Sequence, residues 1–348
     1  MKKNILIFFI CLFGFTKIYA SNQIYETEFY NIEINDELIL DAKDREIDKI
    51  KIKSINSLLD KILTIKSKKK LLKLINITNE LDKLILNIII ENEFISEKKY
   101  QADIKINFDH KEIIFLLRKY KINYTDIDSP TFLLIASEKN ELSLEGLSFN
   151  NSFYKNNDNK NYQLINLIFP DLSSNDRFIL PYEKIINYNK DSFGRIANKY
   201  MINKIFIINI ISKGKKILFK ISLYDHVDKS ILYFENVNFS DKKDYQNQLI
   251  SYLNNWWKIN NQINNSIINQ LTCQLKYLDI EELILTNSII NSLSQIKKNT
   301  AIKIKYLNNY NVISFYGDVN NLITKLSYYN IKMTVNKSIN KCYIFSIK

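Results

Sequence analysis

The stretch YQADIKINFDHKEIIFLLRKY (residues 100–120) changes its period at a single residue. Up to Phe108, the apolar residues Tyr100, Ala102, Ile104, Ile106 and Phe108 alternate with Gln101, Asp103, Lys105 and Asn107. Beyond it, Ile113, Leu116, Leu117 and Tyr120 recur at helical spacing. A period of two with one polar face specifies an antiparallel strand covered on one side, and the helix that follows is an element able to cover it. Asp109, at the switch, is placed to cap that helix, with Glu112 three residues on in an Asp-x-x-Glu variant of the capping box. The adjacent His110 is one of two histidines in the chain. An acid–imidazole pair invites a catalytic reading, but that would need a nucleophile and a third, orienting group, and neither is in view. His110 is expected in the first helical turn with its side chain in water.

The same logic extends along the chain. Residues 23–34 predict a first strand. Residues 42–63 predict an amphipathic helix on Ile47, Ile50, Ile55, Leu58, Leu59 and Ile62, followed by a short helix and an apolar run at 84–90. After Pro130, TFLLIA (131–136) is expected to be the last strand of this unit, completing the ferredoxin-like split βαβ order. Residues 138–161 are polar and Asn-rich without a period, and are expected to form an interdomain linker.

A second unit opens with a strand at 163–169. It continues with a helix at about 190–200, strand 204–211, a turn through Gly214, strand 216–224 and a third strand at about 230–238. Its last helix, from about 242, carries Tyr245, Leu249, Tyr252, Leu253 and Trp256 on one stripe, so that the Trp256–Trp257 pair, a conceivable sugar platform, is expected to pack in the core through Trp256. Asp225, His226 and Asp228 lie in a loop between strands and are expected to be a polar turn rather than a metal site, because no further ligands accompany them. A third unit repeats the first in outline. Strand 271–278 leads to Asp279, a cap with Glu282 in the box position. Ile289, Ile290, Leu293 and Ile296 line the helix, strands 301–307 and 312–316 form a hairpin, Asp318 caps another helix, and strands 331–335 and 341–347 finish the chain.

The fold expected is therefore α+β: tandem small α/β sandwich domains of split βαβ type, with antiparallel sheets covered by helices on one face. The divisions expected are 1–20, 21–137, the linker 138–161, 162–265 and 266–348. Residues 1–20, MKKNILIFFICLFGFTKIYA, join a basic start to an apolar run and a small residue, Ala20, which is the build of a secretory signal peptide cleaved after Ala20. The apolar run, Ile5 to Phe15, is shorter than the roughly 20 residues that span a bilayer. An uncleaved anchor is the other reading of this segment. No later stretch is apolar enough for a membrane helix.

The formal net charge of +12 is no nucleic-acid signature. Of 49 basic residues only Arg45, Arg118, Arg177 and Arg195 are arginine, the residue that supplies most bidentate phosphate and base contacts, and the lysines are scattered. Cys273 and Cys342 remain beyond the leader, too few for a disulfide framework. They are expected to stay apart. If the first and last strands of the third unit are antiparallel neighbours, about five residues, or roughly 16 Å, separate them; if strand 331–335 intervenes, about 9–10 Å does. Both exceed the limit of about 7 Å for a bridge.

DAKDREIDKIKIKSINSLLDKIL (41–63), NFDHKEIIFLLRKYKI (107–122) and SPTFLLIA (129–136) together resemble an exported Gram-negative family known as domain of unknown function 2066. FGRIANKYMINKIFIINI (193–210), a hairpin and ISLYD (221–225) continue in that manner. Ser129 stands where the family is expected to have arginine. The middle unit is also similar in element order to the N-terminal domain of TolB-type periplasmic proteins. The resemblance implies export and brings no reaction and no catalytic residues.

The reading that follows is a periplasmic, non-enzymatic envelope protein that binds protein partners. No catalytic, cofactor-binding or metal residues are assigned, no cofactor or nucleic acid is expected, and no integral membrane segment remains after leader cleavage. A polysaccharide binder using tyrosines and Trp257, or a hydrolase using carboxylates, are the alternatives. A single pocket with convergent acids would favour an enzyme, and an open sheet edge or apolar patch would favour partner binding.

Overall fold

The computed structural model describes residues 23–154, 164–213, 216–239 and 245–346. The leader, residues 155–161 of the expected linker and Gly214 lie outside them. The fold is α+β and falls into two compact units: residues 1–126 with 261–348, and residues 127–260.

The first unit begins with a 3-10 turn over Gln23–Tyr25, which buries Ile24 and Tyr25 and delays the first strand, β1, to Tyr30–Asn35. Helix α1 (Ile39–Ile62) buries Ile50, Ile55, Leu58, Leu59 and Ile62 of the predicted stripe, together with Ser54, while Ile47 is half-buried. Thr64 caps α2 (Ile65–Leu74) by accepting from Ser67 N at 3.2 Å. One further turn, α3 (Leu81–Leu84), leads into β2 (Ile85–Ile95) and β3 (Lys99–Phe108). In β3 every even-numbered residue from Tyr100 to Phe108 is buried. Helix α4 (His110–Lys119) follows, capped by Asp109 Oδ1, which accepts from Lys111 N at 2.8 Å and Glu112 N at 3.3 Å. The reciprocal half of the box is absent, because Asp109 N donates to Leu84 O at 2.8 Å instead.

The sheet order here is β1-β3-β2, all antiparallel, so this part has three strands and is not a split βαβ unit. The expected fourth strand, β4 (Thr131–Lys139), belongs to the second unit and pairs in parallel with β7 (Lys204–Lys213) from Phe132↔Lys204 onward. Phe132 to Ser137 are buried without a break, as are Ile205 to Ile210. A strand buried on both faces belongs inside a parallel pairing, not at the border of a one-sided sheet.

The expected linker is structured as far as it is described. β5 (Leu144–Glu145) pairs with the end of β4, Leu147 and Phe153 are buried, and Asn151 Nδ2 donates to Ala136 O and Gly146 O, both at 3.0 Å. Its asparagines satisfy backbone groups, which is why a polar stretch can pack here. β6 (Asn166–Ile168) lies parallel to β4. Helices α5 (Ser174–Ile179), α6 (Tyr182–Ile186) and α7 (Lys190–Tyr200) precede β7, and β8 (Lys216–Asp225) and β9 (Ser230–Phe239) extend the sheet to the order β5-β4-β7-β8-β9. Leu133, Ile135, Ile205 and Ile207 face Phe193, Ile196 and Ala197 of α7 in one core. Helix α8 (Tyr245–Asn260) brings its tryptophans to Phe132 and Phe206. The tryptophan assignment is reversed from the expectation. Trp257 is buried and donates Nε1–H to Ile127 O at 2.9 Å, while Trp256 is half-buried, edge-on to Phe206.

The first unit resumes with β10 (Ile268–Lys276), α9 (Ile280–Ser292), β11 (Ile296–Lys305), β12 (Asn308–Tyr316), α10 (Val319–Tyr328), β13 (Ile331–Asn336) and β14 (Lys341–Ser346). Asp279 and Asp318 cap their helices as expected, through Glu282 N at 2.8 Å and Asn320 N at 2.6 Å. Helix α9 stops at Ser292, where Leu293 turns to extended backbone, so Ile296 opens β11 instead of lining the helix. The sheet order is β11-β12-β10-β14-β13. β14 lies directly beside β10, but parallel to it, so start faces start and Cys273 is in register with Cys342. The two form a disulfide, with Cα atoms 4.4 Å apart, and the expectation of two free thiols is overturned. Neither arrangement that kept the sulfurs apart applies.

Candidate functional site

Among the described residues, β2 pairs with β3 on one side and with no strand on the other. Which of its amides face outward follows from β3. Ile106 O accepts from Thr27 N on the β1 side, and Asp109 N donates to Leu84 O on the β2 side. Even-numbered residues of β3 therefore bond toward β1 and odd-numbered ones toward β2, by the alternation of an antiparallel ladder. Asn87, Ile89 and Glu91 oppose Asn107, Lys105 and Asp103 and make the ladder bonds. Ile88 and Ile90 oppose Ile106 and Ile104, so their N–H and C=O groups point to the open edge. The regular stretch runs from Asn87 to Glu91 between two register shifts. Leu86, 63% exposed, and Phe94, 54% exposed, flank it, and Ile88, Ile89 and Ile90 are half-buried. A long apolar edge strand without lysine or proline is a template for another strand.

The densest group of buried charges lies elsewhere in the same unit. Lys325, on the buried face of α10, donates to Asp126 and, at 2.9 Å, to Ser294 Oγ. Tyr25 OH donates to Asp126 Oδ2 at 3.4 Å, and Tyr124 OH and Arg118 donate to Ser294 O. Both members of the Asp126–Lys325 pair have side chains less than 10% exposed, at 7% and 6%. Burial alone would raise the Asp126 carboxyl, but the charge and hydrogen bond of Lys325 outweigh it and hold it below its ordinary value. Burial draws the Lys325 ammonium down, against the Asp126 charge. Tyr25 and Tyr124 are pushed up, first by burial and then by Asp126.

His110 belongs to this group. Its ring sits edge-on to Tyr25 with centroids 5.1 Å apart, half-buried and not in water as expected. Burial lowers its pKa, and the nearby Asp126 charge opposes that. The chemistry of the cluster is that of a clamp. A serine beside a lysine can serve as a nucleophile when the amine is free to take its proton. Lys325 instead donates to Ser294 and to Asp126 together. The clamp joins residues 199 positions apart in sequence. It was missed in the sequence because Asp126 stands in an unremarkable polar run before Pro130. The available signal was Lys325 itself, a lysine between Leu322 and Leu326 on an apolar stripe.

The other singled-out residues have local roles. Asp225 Oδ1 accepts from Val227 N at 2.9 Å and Asp228 N at 3.2 Å and so closes the turn, while His226 Nε2 meets Asn198 Oδ1 at 2.9 Å. Asp176 is buried, accepts from Lys199 Nζ at 2.6 Å and Tyr200 OH at 2.8 Å, and ties α5 to α7. Among the described residues no group of three or more His, Cys, Asp or Glu side chains could hold a metal ion, and no helix is long and apolar enough to cross a membrane.

No family model matches the chain, and no curated protein does. Among solved structures, the C-terminal domain of LpoB from Salmonella enterica is similar at 10% identity over 33% of this chain and 85% of that one, with a TM-score of 0.21. A likeness at that level leaves function to be argued from the chain's own surfaces.

Proposed function

We propose that this chain is an exported, non-enzymatic protein of the cell envelope that binds other proteins by adding an extended segment to the β2 edge. The carrying observation is the outward row of backbone groups at Ile88 and Ile90 on an apolar strand. Main-chain hydrogen bonds supply affinity in this mode and side-chain pockets supply selectivity. The leader-like residues 1–20, the resemblance to the exported family and a buried disulfide support the oxidising compartment in this reading. The polysaccharide alternative rested on exposed tyrosines and Trp257, and it loses Trp257, which is buried.

The test places a photo-reactive side chain at Leu86 in living cells. Adducts with envelope proteins are expected, and Ile88→Pro should suppress them, because proline removes the outward donor. An unreactive position 86, beside a control at Phe178 that does react, overturns the proposal.

A further inference from the structure

The first unit has a second long edge of opposite character. β11, IKKNTAIKIK, borders its sheet and carries Lys297, Lys298, Lys303 and Lys305 with no acid, whereas β2, ILNIIIENEFI, carries Glu91 and Glu93 with no base. An edge guarded by lysine resists strands of its own charge and admits an acidic one.

The backbone geometry matches as well. Tyr316 N donates to Gln295 O, on the β11 side, and Gly317 N donates to Ile267 O, on the β10 side. Even-numbered residues of β12 therefore bond to β11. Lys298 and Thr300 oppose Ser314 and Val312 and make those bonds; Asn299 and Ala301 oppose Ile313 and Asn311, so their backbone groups point to the open edge. The regular stretch of β11 runs from Lys298 to Ala301 between two register shifts. Each edge thus offers two outward residues, two positions apart, within a short unshifted stretch.

We infer that the β2 edge of one chain pairs antiparallel with the β11 edge of a second copy, Ile88 opposite Ala301 and Ile90 opposite Asn299. This rests on β2 being a strand-accepting edge, as proposed above, and names its occupant. The register brings Glu91 directly opposite Lys298. Both are exposed, and both project from the sheet face opposite the buried rows, because their own partners Asp103 and Ser314 alternate with Ala102, Ile104, Ile313 and Phe315. They fall in a non-hydrogen-bonded pair of the new ladder, where side chains approach most closely. The contact joins two different surfaces, so it propagates into a ring or an open chain.

Sedimentation of the purified chain over a concentration series tests this. Mass is expected to rise with concentration. Glu91→Lys and Lys298→Glu should each weaken association roughly tenfold, since each sets like charges opposite one another, and the double exchange should restore it. A wild-type chain that stays monomeric throughout, or association indifferent to both single variants, overturns the inference. Adducts at Leu86 that persist in Lys298→Glu cells also overturn it, while leaving β2 as an edge for another protein; loss of every adduct at Leu86, in wild type too, removes both.

Discussion

Asp109 satisfies two amides at the head of α4, so Asp109→Ala is expected to cost about 0.5–2 kcal/mol, read from a denaturant or thermal melt. The Asp126–Lys325 pair carries more. Removing either partner strands a buried charge, and Lys325→Met or Asp126→Asn should each cost about 3–5 kcal/mol. The double variant should cost clearly less than the two losses added, which a double-mutant cycle measures. The same cluster sets a pH response. His110 in the fold sits below the ordinary histidine value, so the unfolded chain takes up a proton first as pH falls. Its contribution is complete above about 6.5 and declines below that. Asp126, whose carboxyl is depressed, contributes in full above the ordinary carboxylate range and adds a second loss as pH falls through its folded value. Melting temperature should therefore drop from pH 7 to pH 5, and His110→Phe, which keeps a ring against Tyr25, should flatten that slope. An unchanged slope would show that His110 titrates as it would in water.

At the scale of elements, proline separates an edge from a centre. Ile88→Pro removes a donor that no described strand uses and should leave the melt nearly unchanged, whereas Ile104→Pro, in the middle strand β3, should prevent folding. Circular dichroism of the two variants decides between them. Elements with local causes were legible before any coordinates. The alternation of β3, the stripe of α1 and the caps at Asp109, Asp279 and Asp318 each depend on neighbours a few residues away. β4 was legible as a strand and not as a member of its sheet. Its unbroken apolar run already spoke for burial on both faces, but its partner β7 lies some seventy residues on. In α8 the stripe held at Leu249 and Leu253, and a last step of three residues instead of four exchanged Trp257 for Trp256.

At the scale of the whole molecule, the disulfide and the clamp are long-range ties whose partners no local pattern names. Cys273 and Cys342 meet only because β14 runs parallel to β10, a choice of direction that the apolar pattern of either strand leaves open. The unreduced protein should weigh two hydrogens less than the reduced one, and Cys273→Ser should cost about 4 kcal/mol for a bridge spanning 69 residues. Two free thiols in the mass spectrum would refute the pairing. The candidate edges were anticipated as a kind of feature and not as positions, since an edge is defined by what fails to pair with it. The first unit is also divided along the chain, with the whole second unit placed between its parts. A ribosome delivers the chain from its N-terminus, so β1, β2 and β3 emerge long before α10. Until Lys325 is present, Asp126 lacks the cation that it meets in the fold, whereas the second unit is continuous in sequence. Completion of the first unit thus requires the last segment made, and a chain cut short before α10 lacks the cation of its clamp.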